Sequence, residues 1–583
     1  MRRFKFTLTL TGFVASIMIF TTLLIGCGSE STTQATEQSE LNNLSASQSK
    51  EIDKLFANYD DINAPGAAIA VLKDGEIVFK KGYGSANLEY DIPVTSSTVF
   101  HVASVSKQFT VFAILLLAEE GKLSFDDDIR TYVPEVPDFG ETITLRHLAS
   151  HTSGLRDQWN LLVMAGWRFD DVITTEHVLK LVANQKELNF SPGEEYLYSN
   201  TGFTLMAEVV ARVSGQSFAE FTQENMFTPL NMSNTLFYDD HQRIVKNRAY
   251  SYSNTDNGFQ KSVLSYANAG ATSLFTTVED ISLWAQNFAE PKVGTKAIIE
   301  QMNTLAKLNN GDTFGGAYGQ FISQHKGIEY IQHGGADAGY RTFFARFPEH
   351  NLAVSVFNNA SNANPRALAL GVADIFLKDQ INTASNSDTT ASNITPDQFI
   401  ELDESSLRVF EGHYWNEEEF YSREMYINES GVLMYSRGPG NESELAPISK
   451  NTFKMLNIDV DLFVTFEQRE NEKVMLVTIE EDDPIISVGY VPLDATEQAL
   501  EEYAGKYYSE ELSTYYHLIP SETGLIVSHY RHSDQIITPI KDDAFTSDMW
   551  VLNKIVFERD NEQAISGFRV TNGRVRDLLF EKL

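Results

Sequence analysis

The sequence predicts an α+β domain followed by two small antiparallel β-barrels. Strand-like apolar runs near the start and the end of the domain enclose a long helical middle, which is typical of an α+β fold whose terminal halves form one sheet. The last third of the chain has short alternating strands, polar turns and almost no helical periodicity. It also contains an internal repeat, and two β-rich copies of one sequence indicate two copies of one small barrel.

The first two strands form a predicted hairpin. The apolar runs from Gly66 to Val71 and from Ile77 to Lys81 are separated by a turn that contains Asp74-Gly75, a pair that tolerates the backbone angles of a tight turn. The later strands and a closing helix complete the domain: Tyr318 to Ser323, Ile328 to Gln332, Thr342 to Phe347, Leu352 to Asn358, and a helix that begins at Pro365.

The middle of the domain is organised around a buried helix. Phe109 to Ala118 is almost free of polar residues, and a helix that is apolar on every side is buried. Ser104 and Lys107 lie at its start, three residues apart, so they share one helix face. A desolvated lysine favours its neutral amine, which can take the proton of a serine and make it a nucleophile. The spacing alone is weak evidence, since the polar segment Ser47–Lys50 repeats it and Ser104 could instead cap the helix.

Two further elements place polar residues beside turns. Tyr198 and Asn200 follow a Pro-Gly turn and precede a predicted helix, so both lie on the loop that enters this helix. His333-Gly334-Gly335 follows a late strand. His151 lies in a Thr-Ser-Gly turn and is interpreted as a residue that ties down a loop, with a role as a base as the alternative.

The internal repeat sets the boundaries that we predict. Matching residues recur at an almost constant offset of 91–93 residues: Gly412 with Gly505, Gly431 with Gly524, Phe453 with Phe545, and Phe466 with Phe557. We predict a signal peptide over 1–26, a solvated tether over 27–48, the α+β domain over 49–380, a linker over 381–400, and barrels over 401–495 and 496–583. Because a polar linker precedes the repeats, we expect them to fold apart from the domain.

The composition limits the partners of this chain. Its 583 residues carry a formal net charge of −35, which argues against a surface that binds nucleic acid. The acidic run Asp126-Asp127-Asp128 is interpreted as a solvated turn rather than a metal site, because no second cluster of ligands accompanies it. We expect no metal and no cofactor.

The N-terminus has the layout of a secretory signal peptide. A basic start is followed by a mostly apolar stretch over 6–25 and then by Leu24-Ile25-Gly26-Cys27, which resembles the bacterial lipobox. Cys27 is the one cysteine of the chain, so no disulfide forms within it. An uncleaved anchor is the alternative, since about 20 apolar residues can span a bilayer. We expect a protein of the cell envelope, anchored to a membrane by a lipid on Cys27 and facing the periplasm or the exterior.

The order and the flanks of these elements resemble the serine β-lactamase and penicillin-binding-protein superfamily, in particular its class C β-lactamase and D-aminopeptidase group. The resemblance covers about residues 49–380 and includes the run Leu148–Leu155, Leu-Ala-Ser-His-Thr-Ser-Gly-Leu. It implies a catalytic domain built from an antiparallel sheet and a helical subdomain. The C-terminal repeats resemble the lipocalin-like barrels attached to some D-aminopeptidases and related peptidases.

The resemblance also implies roles for individual residues. Ser104 would be the nucleophile, Lys107 would abstract or relay its proton, and Tyr198 would be the partner general base. Asn200 would hydrogen-bond the substrate amide. The backbone N–H groups of Ser104 and Ala336 would form the oxyanion hole.

The strand that carries His333 would bind the substrate along its edge. Gly334 and Gly335 would let the substrate lie close to the strand, because glycine removes the side-chain obstacle. His333 stands where the superfamily has lysine or histidine, and its unperturbed pKa of about 6.5 would leave it mostly neutral near pH 7.5. Lowering the pH toward 6 would then weakly restore its attraction for a carboxylate.

We therefore expect a serine hydrolase that forms an acyl-enzyme with an amide or ester, of the D-aminopeptidase, peptidase or esterase type. Its substrate would be a small molecule or short peptide, and amides or esters would be preferred to β-lactams. The alternatives are a β-lactamase, a lipoprotein that binds cell-wall peptides or is acylated without turnover, and a protein whose barrels bind a lipid or saccharide.

Overall fold

The structure is a computed structural model that describes residues 44–381 and 399–583, apart from 439–440, 457, 459–461, 480–482 and 494–495. The predicted signal peptide, Cys27 and nearly all of the predicted tether and linker lie outside these residues. Within the described residues, no helix combines the length and the apolar character that crossing a membrane requires.

An antiparallel sheet forms the centre of the N-terminal domain, which we define as residues 44–381. The strands of this domain are β1 (Ala67–Lys73), β2 (Glu76–Tyr83), β3 (Ser85–Asn87), β4 (Ile92–Pro93), β5 (Phe100–His101), β6 (Leu236–Phe237), β7 (Ser251–Thr255), β8 (Gly258–Ser262), β9 (Leu274–Thr276), β10 (Phe321–His325), β11 (Ile328–Asp337), β12 (Tyr340–Phe347) and β13 (Leu352–Asn358). Six of them form the main sheet in the order β10-β11-β12-β13-β1-β2. Because β1 pairs with β13, the two ends of the domain meet in one sheet, as the sequence predicts.

Helices cover both faces of this sheet. The helices of the domain are α1 (Ala46–Leu55), α2 (Ser106–Glu119), α3 (Leu145–Ala149), α4 (Gln158–Met164), α5 (Thr175–Asn184), α6 (Thr201–Ser214), α7 (Phe218–Thr222), α8 (Val278–Ala289), α9 (Lys296–Met302) and α10 (Pro365–Phe376). Alternate residues of β1 enter two different cores: Ile69 packs in the core that includes α1 and α10, and Ala70 in the core that includes α2. Every residue of β1 before Lys73 is therefore apolar, because a strand buried on both faces has no solvent side.

The central helix α2 is buried, as its sequence predicts. Phe109 stacks on Trp284 with ring centres 4.3 Å apart, and the side chains from Ser106 to Leu115 are all buried. Ser104 precedes α2 rather than starting it, since it lies in a 3-10 turn over Ala103–Val105. Ala103 has a φ of 47°, a left-handed angle that non-glycine residues rarely adopt.

Two closed eight-stranded barrels follow the domain, which confirms the predicted repeat. The first contains α11 (Glu404–Leu407), β14 (Gly412–Asn416), β15 (Tyr421–Ile427), β16 (Leu433–Ser436), β17 (Glu442–Pro447), β18 (Thr452–Met455), β19 (Leu462–Arg469), β20 (Glu472–Ile479) and β21 (Ile485–Tyr490). The second contains α12 (Glu497–Leu500), β22 (Gly505–Ser509), β23 (Thr514–Ser521), β24 (Gly524–Ser528), β25 (Gln535–Lys541), β26 (Ala544–Thr546), β27 (Lys554–Arg559), β28 (Ile565–Asn572) and β29 (Val575–Lys582).

Matching residues make equivalent hydrogen bonds in the two barrels. The hydroxyl of Tyr414 donates to the carbonyl of Phe410 at 2.9 Å, and that of Tyr507 donates to the carbonyl of Tyr503 at 2.8 Å. Aromatic side chains of both copies pack inside the barrels, as is usual for barrels of this size. These aromatic side chains therefore belong to the barrel cores.

The second barrel packs directly against the N-terminal domain, a contact that the sequence analysis does not predict. Their apolar side chains form one continuous core. At this interface the guanidinium of Arg156 donates to both carboxylate oxygens of Glu511, at 2.7 and 2.5 Å, and Asn160 Nδ2 donates to Asn572 Oδ1 at 2.7 Å. The sequence offers no sign of this contact, since Arg156 and Glu511 read as surface residues.

Candidate active site

The predicted site residues meet at one cavity of about 1260 Å³. Those that line it are Ser104, Tyr198, Asn200, His333, Gly334, Gly335 and Ala336. Lys107 is buried beneath Ser104. Three segments far apart in sequence therefore contribute to one site: the turn before α2, the loop before α6 and the strand β11.

The amine of Lys107 has three polar neighbours. Its Nζ lies 3.1 Å from Ser104 Oγ, 2.8 Å from Asn200 Oδ1 and 2.7 Å from the carbonyl oxygen of Ala271. The last two atoms can only accept hydrogen bonds, so a neutral amine donates its two N–H bonds to them. Its lone pair is then left for the hydroxyl of Ser104.

Burial favours this neutral form. Desolvation lowers the pKa of Lys107 to about 7. The carboxylates of Asp157 and Asp337 raise the pKa, and the positive charge of Arg574 lowers it. A large fraction of the Lys107 side chain is therefore unprotonated at neutral pH.

Tyr198 is held by a stacked imidazole. The ring of His151 lies 4.1 Å from the ring of Tyr198, and the backbone N–H of Ser199 donates to His151 Nδ1 at 3.1 Å. His151 thus ties down the loop that carries Tyr198, as interpreted from the sequence. Burial raises the pKa of Tyr198 well above its usual value, and its hydrogen bond to Ser104 only partly opposes this effect, so the phenol is neutral at physiological pH.

Asp157 orients Asn200, and the sequence analysis did not identify it. One oxygen of this fully buried carboxylate accepts hydrogen bonds from the backbone N–H and from Nδ2 of Asn200, both at 2.7 Å. These bonds turn Oδ1 of Asn200 toward Lys107. The sequence feature that could have identified Asp157 is its position two residues after the Leu148–Leu155 run.

His333 is neutral, and its one N–H group donates a hydrogen bond within the protein. Nδ1 lies 2.6 Å from the carbonyl oxygen of Gly334, so this nitrogen carries the proton, while Nε2 is buried without a partner among the described residues. Burial lowers the pKa of His333 to about 3, and the charge of Lys107 acts in the same direction. The neutral state agrees with the expectation, but a pH near 6 does not protonate this side chain, which corrects the expected pH effect.

The two glycines of β11 differ in their surroundings. A Cβ on Gly335 would lie 2.3 Å from both the carbonyl oxygen of Val102 and Thr342 Oγ1, so only glycine lets β11 approach the turn that carries Ser104. A Cβ on Gly334 would find its nearest neighbour at 3.7 Å, an ordinary contact. Gly335 is thus required by the protein's own packing, whereas the packing of the protein does not by itself require a glycine at Gly334.

The acidic run forms ion pairs and caps a turn. Asp126 Oδ1 accepts from Arg146 Nε at 2.6 Å, and Asp128 Oδ2 accepts from Arg130 Nη2 at 2.8 Å. In the part of the chain that the structure describes, no three His, Cys, Asp or Glu side chains are grouped to hold a metal ion.

Part of the cavity wall comes from the second barrel, which was not predicted from the sequence. Trp550, Asn553, Gly573 and Arg574 line the same cavity as Ser104. The second barrel therefore borders the cavity that contains Ser104.

Comparisons with known proteins agree with this geometry. A D-aminopeptidase of Gluconobacter oxydans is 29% identical over 315 residues, which cover 53% of this chain and 59% of that protein. Penicillin-binding protein 4* of Bacillus subtilis is 27% identical over 328 residues, covering 53% of this chain and 71% of that protein. The chain thus spans less than two thirds of the D-aminopeptidase.

Solved structures show the same fold. The octameric penicillin-binding protein homologue from Pyrococcus abyssi has a TM-score of 0.53 at 23% identity, covering 76% of this chain and 99% of that one. The D-amino acid amidase from Ochrobactrum anthropi SV3 has a TM-score of 0.50 at 18% identity, covering 57% of this chain and 100% of that one.

The family model described as Beta-lactamase matches residues 52–375, more than half of the chain. This range contains the turn before α2, the loop before α6 and the strand β11. The chain belongs to the beta-lactamase family.

Proposed function

We propose that the protein is a serine hydrolase that forms an acyl-enzyme between Ser104 and the carbonyl of an amide or ester. The observation that carries this proposal is the placement of Lys107. Its Nζ lies 3.1 Å from Ser104 Oγ and within hydrogen-bond distance of two obligate acceptors, so a neutral amine that donates to both acceptors leaves its lone pair for the serine proton. A buried lysine whose pKa is lowered to about 7 is suited to accept the proton of a nucleophile.

The proposed reaction has two steps. As Ser104 Oγ attacks the substrate carbonyl, its proton moves to Nζ of Lys107, and the tetrahedral oxyanion is bound by the backbone N–H groups of Ser104 and Ala336. Each such donor contributes about 3–4 kcal/mol to the transition state. The leaving group departs with a proton that Lys107 returns, with the hydroxyl of Tyr198 as the relay. Water then attacks the ester, and the same groups release Ser104.

The substrate class that fits the site is a D-amino amide, a short D-amino-acid peptide or a simple ester. The relatives named D-aminopeptidase and D-amino acid amidase support this class. The neutral His333 cannot supply the cation that lysine would present to a β-lactam carboxylate. We therefore expect hydrolysis of a D-alanine anilide or a p-nitrophenyl ester to exceed that of nitrocefin in kcat/KM.

A test of the proposal follows from covalent labelling. A fluorophosphonate should add one adduct to the wild-type protein in an intact-mass spectrum, and Ser104→Ala should remove it. Ser47→Ala is the matched control, because Ser47 has the same spacing to a lysine but lies on an exposed helix. An adduct of equal yield on the Ser104→Ala protein would refute the assignment. An adduct of a substrate ester that persists for hours would instead support the acylated sensor.

We also propose that a lipid on Cys27 holds the enzyme at the cell envelope. The support is the Leu24–Cys27 run behind an apolar stretch. Cells fed a clickable palmitate analogue should label the wild-type protein, and Cys27→Ser should lose the label and leave the membrane fraction. Normal processing and membrane retention of Cys27→Ser would contradict this.

A further inference from the structure

A hairpin of the second barrel reaches into the catalytic cavity. It consists of the ends of β28 and β29 and of Gly573 and Arg574 between them. Both of these turn residues line the cavity together with Ser104, Tyr198 and His333. The barrel therefore presents a side chain to whatever occupies the site.

The backbone of Arg574 is fixed from three sides. Its carbonyl accepts from the backbone N–H of Asp157 at 3.3 Å and from Asn189 Nδ2 at 3.1 Å. Its own N–H donates to Asn572 Oδ1 at 3.1 Å. Two of these partners belong to the N-terminal domain, so the hairpin tip is held in register with the site.

The side chain of Arg574 lacks the hydrogen bonds that its backbone has. Its guanidinium carbon lies 4.8 Å from the ring centre of Tyr198, and Nη1 is 3.9 Å from Asp157 Oδ2, too far for a hydrogen bond. Within the described part of the chain, no acceptor stands in hydrogen-bond geometry to this guanidinium. The side chain is 40% exposed, so its donors are accessible from the cavity.

The other arginines of the cavity are already bonded. Arg341 Nη1 donates to the carbonyl oxygens of Ala338 and Tyr340, at 3.1 and 2.7 Å. Arg366 Nη2 donates to the hydroxyl of Tyr330 at 3.1 Å. Among the described arginines of the cavity, Arg574 is thus the one whose guanidinium makes no hydrogen bond to the protein, and its ion-pair partner is Asp157 at 3.9 Å.

We propose that Arg574 binds a carboxylate of the substrate, so that the second barrel supplies the cationic subsite of the hydrolase. The inference rests on the proposed function. A guanidinium presents parallel N–H donors that match the two oxygens of a carboxylate. His333 cannot take this role, because it is neutral and its N–H is bonded to Gly334. Within the proposed substrate class, peptides that carry a free carboxylate within reach of Arg574 are therefore bound more tightly than those that do not, whereas His333 offers no cation beside β11 for a β-lactam carboxylate.

The carboxylates near Arg574 leave its guanidinium available to a ligand. Asp157 is fully buried, and the oxygen nearest to Arg574 already accepts two hydrogen bonds from Asn200. Asp337, which lines the cavity, accepts from the hydroxyl of Thr272 at 2.8 Å. Neither carboxylate forms a bidentate pair with the guanidinium, so a substrate carboxylate can.

The test measures binding without turnover. In protein carrying Ser104→Ala, calorimetry compares N-acetyl-D-alanyl-D-alanine with its C-terminal amide, two ligands that differ only in the carboxylate. The acid should bind about tenfold more tightly than the amide, the effect of a charge-assisted hydrogen-bond pair. Adding Arg574→Ala should reduce this preference to within about twofold, and Arg574→Lys should keep part of it.

The control is Arg531→Ala in the same Ser104→Ala protein. Arg531 also belongs to the second barrel and pairs with Asp171 of the N-terminal domain at 2.7 Å, but it does not line the cavity. It should keep the full preference for the acid. The role of Arg574 would be overturned if the Arg574→Ala variant kept the full preference for the acid over the amide. It would also be overturned if the Ser104→Ala protein bound neither ligand or bound both equally. Failure of the hydrolase proposal shows separately, as a wild-type protein that fluorophosphonate does not label at Ser104.

Discussion

Lys107→Met is expected to slow acylation of Ser104 by about a thousandfold or more, within the range that general-base catalysis provides. Methionine keeps much of the buried volume of lysine but has no nitrogen to accept the serine proton. The two acceptors that now bind Nζ, Asn200 Oδ1 and the Ala271 carbonyl, would also lose their donor. The rate of fluorophosphonate labelling, followed by intact mass, measures the effect.

The pH dependence of the same reaction identifies the base. The neutral amine is the active form, so the wild-type rate should rise by about tenfold between pH 6 and pH 8 as Lys107, with its pKa of about 7, loses its proton. Lys107→Met should remove this rise. Tyr198→Phe should lower the rate but keep the rise, because the raised pKa of Tyr198 places its titration far above this range. A wild-type rate that is flat or falls over this interval would show that Lys107 is not the base.

Glu511→Ala should lower the free energy of unfolding by about 3 kcal/mol, since removing one partner of a buried ion pair leaves the other charge uncompensated. Arg156 is 0% exposed and Glu511 is 8% exposed, so water cannot replace the lost carboxylate. Glu187, 3.7 Å from Arg156 Nη2, compensates part of the charge and places the loss at the lower end of the usual range. Urea unfolding followed by tryptophan fluorescence measures the change.

The neighbouring residue provides a matched control. Glu510 pairs with Lys186 at 3.2 Å, but these side chains are 69% and 54% exposed. Glu510→Ala should therefore cost less than about 1 kcal/mol, as is usual for a solvent-exposed pair. Similar losses for the two variants would mean that the Arg156–Glu511 pair does not hold the second barrel in place. Glu511→Ala should also weaken ligand binding, because it releases the hairpin that carries Arg574.

The parts of the site that could be predicted from sequence are local. Ser104 and Lys107 are three residues apart, so their contact follows from the helical repeat alone. The barrels were predictable because both copies keep the same turn glycines and core aromatics. The sheet was predictable because its central strands β1 and β13 are mostly apolar and buried on both faces.

The contacts made by Asp157 and Arg574 were not predicted, and the reason is the same for both. Each acts through contacts with residues distant in sequence, and each is a charged residue that sequence patterns assign to the surface. The same holds for Arg156, whose full burial depends on a carboxylate from the second barrel. Tertiary contacts of this kind leave no periodic signal in a single sequence.

The hairpin of the second barrel is also the last part of the site to be synthesised. Residues 573 and 574 are synthesised long after Ser104, so a nascent chain can complete its sheet and its Ser104–Lys107 pair while one wall of the cavity is still missing. That wall forms only when the second barrel closes and docks. Because the barrel is held by a shared core and by the Arg156–Glu511 pair, a backbone cut between the two parts would leave Arg574 in place, whereas undocking of the barrel would remove it from the site.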